Sequence, residues 1–324
     1  MSNKVLKPKK ASLYQFTQKY SNNIDNCIEF FKSMKWPEGF SCDRCGCHKY
    51  YLVKRVGKTK TSYVLECSSC HKQHSLLSGT IFQSCKIDLY KLLLGIFLFF
   101  NENKGISAVD LCSILDDNYK TALLLENKCR ILMSLSNSDK LLNSLFYEAD
   151  VFNIGAKSKN KAGRASEQQP ILGILSTDKE NNYPRFIKLR VITDYTGLSL
   201  KKNIEKCCVL SHDALLNTDG EKGFNTLNEE IQVKNEKISY EEKDHRLLWL
   251  NIIIGNIKNN ITGIYHGITK REMPLFLNEQ EYRFNHRKMG KTIMDKIKKY
   301  LQRSFPISHR QIVYILNISA PHFS

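Results

Sequence analysis

The sequence contains no apolar run long enough to cross a bilayer. Its longest, Leu92 to Phe100, covers nine residues, against the roughly 20 that a membrane-spanning helix requires. No apolar segment follows the basic opening MSNKVLKPKK, which therefore does not read as a secretory signal. Internal repeats and low-complexity tracts are also missing, which excludes solenoid and linker-rich architectures. Acids are scarce beside bases: 32 Asp and Glu meet 49 Lys and Arg, a formal net charge of +17. That imbalance points to a polyanionic partner, nucleic acid ahead of an anionic membrane surface. At 324 residues and 42% hydrophobic composition, the chain has enough material for two or three domains with real cores and is not a disordered chain.

The charge is unevenly spread. Residues 1–60 carry 13 Lys and Arg against 4 acids, residues 246–324 again 13 against 4, and the middle is close to neutral. More than one surface is thus expected to meet the polyanion. The eleven cysteines do not read as a disulfide framework. In a large chain with no signal peptide, expected to be intracellular, closely paired cysteines bind metal or do redox chemistry more often than they form bridges. Four form two C-x-x-C knuckles, Cys42/Cys45 and Cys67/Cys70, with 21 residues between them. Tetrahedral zinc takes two thiolates from each tight turn, so a structural tetra-Cys zinc ribbon is expected. Cys47, His48, His71 and His74 lie close enough to compete as ligands.

Periodicity predicts a helix over 12–35, stopped by Trp36-Pro37-Glu38-Gly39. Short β pieces follow between the knuckles at Tyr50–Arg55 and Ser62–Leu65, then a buried helix over Asp88–Phe100. Ser107–Leu115 and Asn118–Leu132 form a helical pair joined by Asp116-Asp117-Asn118, with Ser107 as N-cap. That is the outline of a helix-turn-helix, although most such pairs are only packing units. Read as a DNA-binding element, it offers Tyr119, Lys120 and Thr121 to the groove and Lys128 and Arg130 to phosphates. From about 146 the pattern changes to strands: Phe146–Phe152, Pro170–Ser176, Phe186–Thr193 and Ala214–Thr218. Helices over 245–260 and 269–284 follow, then a basic amphipathic helix over Lys291–Ser304. The polar stretch 221–244 has no readable period. The expected division is an N-terminal helical region (1–38), a zinc ribbon (39–84), a helix-turn-helix-like region (85–140), an α/β domain (141–290) and a basic tail (291–324).

Asp150 and Asp219 each end an apolar strand. Asp before Gly is often only a turn former, but two strand-end carboxylates on one sheet rim can hold a hard divalent cation for phosphoryl transfer. Asn251 and Lys258, seven residues apart, share one helix face. Alone, that pair reads as easily as two polar groups on a buried helix.

These residues fall into motifs that resemble those of the zinc-ribbon DDE-type insertion-sequence transposases (ISXO-like). Within them the chain resembles the branch with an Asp-Asp-Asn-Lys signature, related to eukaryotic Merlin elements. The matching segments are the two knuckles, Gln73-His-Ser, Gly79-Thr-Ile-Phe82, Lys104-Gly-Ile-Ser-Ala, Tyr119-Lys-Thr-Ala, Asp150 with Gly155 and Lys157, and Thr218-Asp219-Gly220. They continue with Trp249-x-Asn251-x-x-x-Gly255-Asn256-x-Lys258, Gly263-Ile-Tyr265-His266 and Tyr282-Arg-Phe-Asn-His-Arg287. The resemblance implies an RNase H-like catalytic domain, a mixed sheet flanked by helices. It implies metal-dependent strand cleavage and transfer of element ends, with Asp150 and Asp219 on Mg²⁺ or Mn²⁺, Asn251 as third site residue and Lys258 on DNA. Arg283 and Arg287 are read as further DNA contacts. The expected partners are terminal inverted repeats and target DNA, bound by a homo-oligomer with no membrane. The expected location is cytoplasmic and nucleoid-associated, or nuclear in a eukaryotic source. The chain departs from the family at Val151, where a Glu is usual, at Ala156 and at His286. A domesticated DNA binder that no longer cuts, and a nuclease of the same fold, are the competing readings.

Overall fold

A computed structural model describes residues 12–57, 61–137, 141–155, 168–178, 183–235, 247–287 and 293–319. Ala156 and Lys157 lie outside these residues. The chain divides into two compact units, one made of 1–135 with 288–312 and the other of 136–287 with 313–324.

In the first unit the expected helix over 12–35 is two helices, α1 (Leu13–Tyr20) and α2 (Ile24–Lys35). The break falls at Ser21-Asn22-Asn23, because Asn23 caps α2 by accepting the Asn26 N–H at 3.2 Å. Strands β1 (Tyr50–Val56), β2 (Thr61–Cys67) and β3 (Gln73–Ser75) form a small antiparallel sheet. The strongly apolar α3 (Leu89–Asn101) is the centre of the unit, with Leu92, Leu93, Ile96 and Phe99 fully buried. Helix α4 (Ala108–Leu115) starts at Ser107, whose Oγ accepts the Asp110 N–H at 3.1 Å, and ends at Asp116 in the left-handed region. Helix α5 (Tyr119–Asn137) follows. At Gly95 a Cβ would come within 2.6 Å of Leu125 and 3.1 Å of Leu115, so glycine lets α3 approach the α4–α5 pair. The last helix of this unit comes from the far end of the chain: α9 (Ile293–Arg303) packs on α2 and α3.

The second unit is built on a mixed five-stranded sheet of β4 (Phe146–Ile154), β5 (Gln169–Asp178), β6 (Tyr183–Val191), β7 (Leu215–Thr218) and β8 (Gln232–Asn235), in the order β6-β5-β4-β7-β8. β4, β5 and β6 are antiparallel neighbours, and β7 and β8 run parallel to β4. This is the RNase H-like arrangement. The apolar runs that suggest strands are long because both faces are covered. One face carries Tyr147, Ala149, Leu172 and Ile174 against α6 (Gly197–Glu205) and a 3-10 turn over 222–227. The other carries Phe152, Ile154 and Ile171 against α7 (Leu248–Asn260) and α8 (Met273–Asn285). Neither α6 nor the polar, half-exposed β8 is legible from periodicity. A helix α10 (His309–Ser319) closes the described chain, and no described helix is long and apolar enough to cross a membrane.

Candidate active site and zinc centre

The ribbon knuckles bring their four sulfurs together. Cys42 and Cys70 Sγ lie 3.5 Å apart, as do Cys45 and Cys67 Sγ, and all four lie within 4.8 Å of one another. Zn–S bonds of about 2.3 Å put tetrahedral sulfurs roughly 3.8 Å apart, so the cluster has the dimensions of a structural zinc site. Against the upward pull of desolvation, N–H groups of Arg44 and Cys45 and the His74 ring lower the Cys42 thiol to about 6. His74 is buried, with Nε2 at 3.4 Å from Cys42 Sγ and its ring among Trp36 and Phe40. It serves as an outer partner orienting a ligand that is already present, since the four thiolates complete the tetrahedron.

In the sheet, register does the positioning. Ala149 of β4 pairs with Thr218 of the parallel strand β7. One residue further come Asp150 and Asp219; Asp150 is not the end of its strand, as expected, but the middle of β4, which stays paired with β5 as far as Ile154, and it comes level with the end of the shorter β7. Asp219 stands exposed just past the end of β7, and the chain turns at once through Gly220, whose φ of 66° favours glycine. The loop behind it is pinned by Asn235, which accepts from Thr218 Oγ1 at 2.7 Å and donates to the Glu221 carbonyl at 2.9 Å. Asp150 is half-buried, and its Oδ1 accepts the Val151 N–H at 2.7 Å. Desolvation raises its pKa, as do the charges of Asp219 and Glu221, while Lys258 pulls it down. Two carboxylates brought side by side, one half-buried and one exposed, are a donor set that a hard divalent cation fits.

Along β4, Glu148, Asp150 and Phe152 share the face that meets α7. Glu148 is 2% exposed and accepts the Leu250 N–H at the start of α7 at 2.9 Å. Burial pushes its carboxyl up to about 7. Further along, the Lys258 ammonium sits 5.7 Å from the Phe152 ring centroid. Thus Lys258 is brought to the Asp150 neighbourhood. Asn251 is exposed on the first turn of α7 and hydrogen-bonds no described residue. Val151 faces the other way, against the core under α6. A glutamate there would point away from the α7 side, so its replacement by valine removes no ligand from the face that holds Asp150. Glu221, whose charge reaches Asp150, is not singled out by the sequence; only its place two residues after Asp219 hints at it.

Tyr119 and Lys120 are exposed on the first turn of α5, and Thr121 is half-buried, its Oγ1 donating to Asn118 Oδ1. The other four expected DNA contacts meet protein groups in this fold. Lys128 and Arg130 are 5% and 2% exposed; Lys128 Nζ donates to the Ile81 carbonyl at 2.6 Å, and Arg130 pairs with Glu126 at 2.8 Å. Arg283 is enclosed with the fully buried Glu279 at 2.7 Å. Arg287 turns its guanidinium back onto the Phe284, Arg185 and Pro184 carbonyls and stacks on the Phe284 ring at 4.1 Å. With Asn285, which bonds both the N–H and the carbonyl of Ile187, and Glu281, which accepts the Leu189 N–H, this motif caps the free edge of β6. An open strand edge is an aggregation hazard, and here side chains of one helix end occupy it.

Residues 23–73 match the model of the transposase zinc-ribbon domain, and residues 146–285 match that of the ISXO2-like transposase domain. Among solved structures, a chain of the crystal structure of a pre-cleavage Mos1 transpososome aligns over 71% of this chain and 79% of that one, at 9% identity and a TM-score of 0.28. Likeness at that level carries no argument. No curated protein matches. Both domain models fall in chain order on the ribbon and on the five-stranded sheet whose geometry is given above, and together they span more than half of the sequence. The chain belongs to the IS1595 family of zinc-ribbon transposases.

Proposed function

We propose that this transposase binds the ends of its insertion sequence, cleaves there and joins the freed 3′ ends to target DNA. Asp150 and Asp219 hold the divalent cation, Lys258 holds a DNA phosphate, and Asn251 is the third site residue. The observation that supports this reading is the register of β4 with β7, in which Asp150 in the middle of β4 comes level with Asp219 just past the end of β7, with Lys258 near enough to act on Asp150. A cation bound there supplies Lewis-acid polarisation of the phosphate and a more acidic bound water. The chain's own part is positional. The two aspartates would hold the cation, and Lys258 would neutralise phosphate charge. Glu148 ties the start of α7 to β4, so Asn251 and Lys258 are presented from a helix anchored to the strand that carries Asp150. In cleavage, water oxygen attacks phosphorus and the 3′ oxygen leaves with a proton. In joining, that 3′ hydroxyl attacks a target phosphodiester and the displaced target oxygen takes the proton, so the number of ester bonds is conserved. No covalent bond to the protein is needed.

A strand-transfer assay on DNA bearing the element's terminal repeats, with Mg²⁺ or Mn²⁺, tests this. Wild type should form joined products, and Asp150→Ala and Asp219→Ala should not. Wild type as inert as Asp150→Ala sinks the proposal, and cutting without joining would make the protein a nuclease.

A further inference from the structure

The charge of the molecule belongs almost wholly to the first unit. Residues 1–135 and 288–312 contain 27 Lys and Arg against 12 Asp and Glu, which accounts for +15 of the chain's +17. Within that unit α9 is amphipathic, and its rotation is fixed. Ile293, Ile297, Tyr300 and Leu301 are buried, Tyr300 lies against Phe100 with ring centroids 6.0 Å apart, and Gln302 Nε2 donates to the Met34 carbonyl at 2.9 Å. Just past the helix, Ser304 Oγ accepts the Ile81 N–H at 3.1 Å.

With that face buried, Lys296, Lys299 and Arg303 line up. At about 100° per residue, spacings of three and four keep them within roughly 60° of one another, over about 10 Å of axis. Lys299 and Arg303 are exposed and Lys296 is half-buried. None of the three forms an ion pair with a described residue, and Asp295, the one acid on the helix, pairs with none of them. Like charges at these spacings weaken an isolated helix. Desolvation and the Lys299 charge both lower the pKa of Lys296, so the stripe bears uncompensated repulsion. An anionic partner relieves it.

We infer that the Lys296–Lys299–Arg303 stripe of α9 is a phosphate-binding surface for double-stranded DNA, independent of base sequence. The inference rests on the proposed function for the choice of DNA as polyanion. The C-terminal segment then belongs to the DNA-binding unit as a working surface as well as a packing element.

The test uses the full chain loaded with zinc and a fluorescent duplex of random sequence, followed by anisotropy from 50 to 200 mM salt. Each phosphate contact contributes about 0.9 to the slope of log affinity against log salt. The triple variant Lys296→Ala/Lys299→Ala/Arg303→Ala should therefore flatten the slope by about 2 to 3, with zinc content and circular dichroism unchanged. Lys298→Ala, about 160° round the helix from Lys296, should leave the slope as it is, and Lys296→Arg/Lys299→Arg should retain it. A triple variant with the wild-type slope, or an equal loss in Lys298→Ala, overturns the inference. Failure of the wild type to bind any duplex would overturn the functional reading instead.

Discussion

Replacing Glu148 by Gln should make the catalytic unit more stable at neutral pH and remove a specific pH dependence. The carboxyl is buried on the face of β4 under α7 and accepts one N–H, from Leu250. Desolvation raises its pKa from an ordinary 4.5 to about 7, and the Leu250 hydrogen bond only partly opposes it. A carboxyl with a raised folded-state pKa holds a proton that the unfolded chain has shed. Its contribution is complete below pH 4.5, is lost as pH rises towards 7, and stays lost above. The gap between 4.5 and about 7 corresponds to about 3 kcal/mol. Gln keeps an oxygen for the Leu250 N–H and never ionises. Above pH 7.5, Glu148→Gln should therefore exceed wild type by up to that amount, or roughly 6–12 °C in Tm for a domain of this size. Near pH 4.5 the two should nearly coincide. Thermal unfolding in magnesium-free buffer across pH 4.5–8 measures this. Asp150, whose pKa is also raised by desolvation, contributes the same slope to both proteins and cancels. Parallel Tm curves for wild type and variant would show that Glu148 is not buried as an uncompensated acid, and the tie between β4 and α7 would have to be abandoned.

Three further outcomes follow from the same geometry. Glu281→Ala removes the carboxylate that meets Lys188 at 3.1 Å and Arg190 at 3.0 Å; with a buried ammonium left uncompensated, chemical denaturation should show a loss of about 3–5 kcal/mol, and a loss under about 1 kcal/mol would contradict the burial. Arg283→Ala should lower Tm yet leave duplex affinity and its salt slope unchanged, because the guanidinium is enclosed with Glu279; weaker binding at unchanged Tm would restore it as a DNA contact. Chelating zinc should unfold the ribbon around residues 42–75, because its interior is small, little more than Phe40, Val64, Leu65, His74 and Leu76 with the buried Cys42 and Cys67. Hydrogen exchange should then show this segment losing protection while β4 and β5 keep theirs, and an unaffected ribbon would refute metal-dependent folding.

How much of this can be read beforehand depends on how local the cause is. The knuckles are legible because two residues between cysteines is itself the geometry of a metal turn. Strands β4 to β7 are legible because burial on both faces leaves apolar runs. The partners of the four other expected DNA contacts are hidden for one reason. Lysine and arginine read as surface until their partners are known. Arg130 and Arg283 have theirs one helical turn away, at Glu126 and Glu279, but nothing in that spacing says the pair is buried. Lys128 finds Ile81, and Arg287 finds the carbonyls of Pro184 and Arg185, across 47 to 103 residues of chain. The split between α1 and α2 is hidden because Asn23 as a cap and Asn23 as a helix residue differ only in backbone conformation. Strand β8 is short, polar and at a sheet edge, so nothing in its composition announces it. At the site, the Asp-Gly turn marks Asp219, whereas the neighbourhood of Asp150 with Lys258 depends on how α7 packs on β4.

The path of the chain through the first unit has a kinetic consequence. Helix α3, with Leu92, Ile96 and Phe100 along it, is made early, but the helix that covers part of it arrives roughly 190 residues later. At about 5–20 residues per second a ribosome takes about 10–40 s to deliver that cover. Throughout that interval the nascent protein presents a greasy, unsealed surface. Chaperone dependence during synthesis, and insolubility of fragments ending before Ile293, are the expected marks of a unit whose early helix must wait for α9.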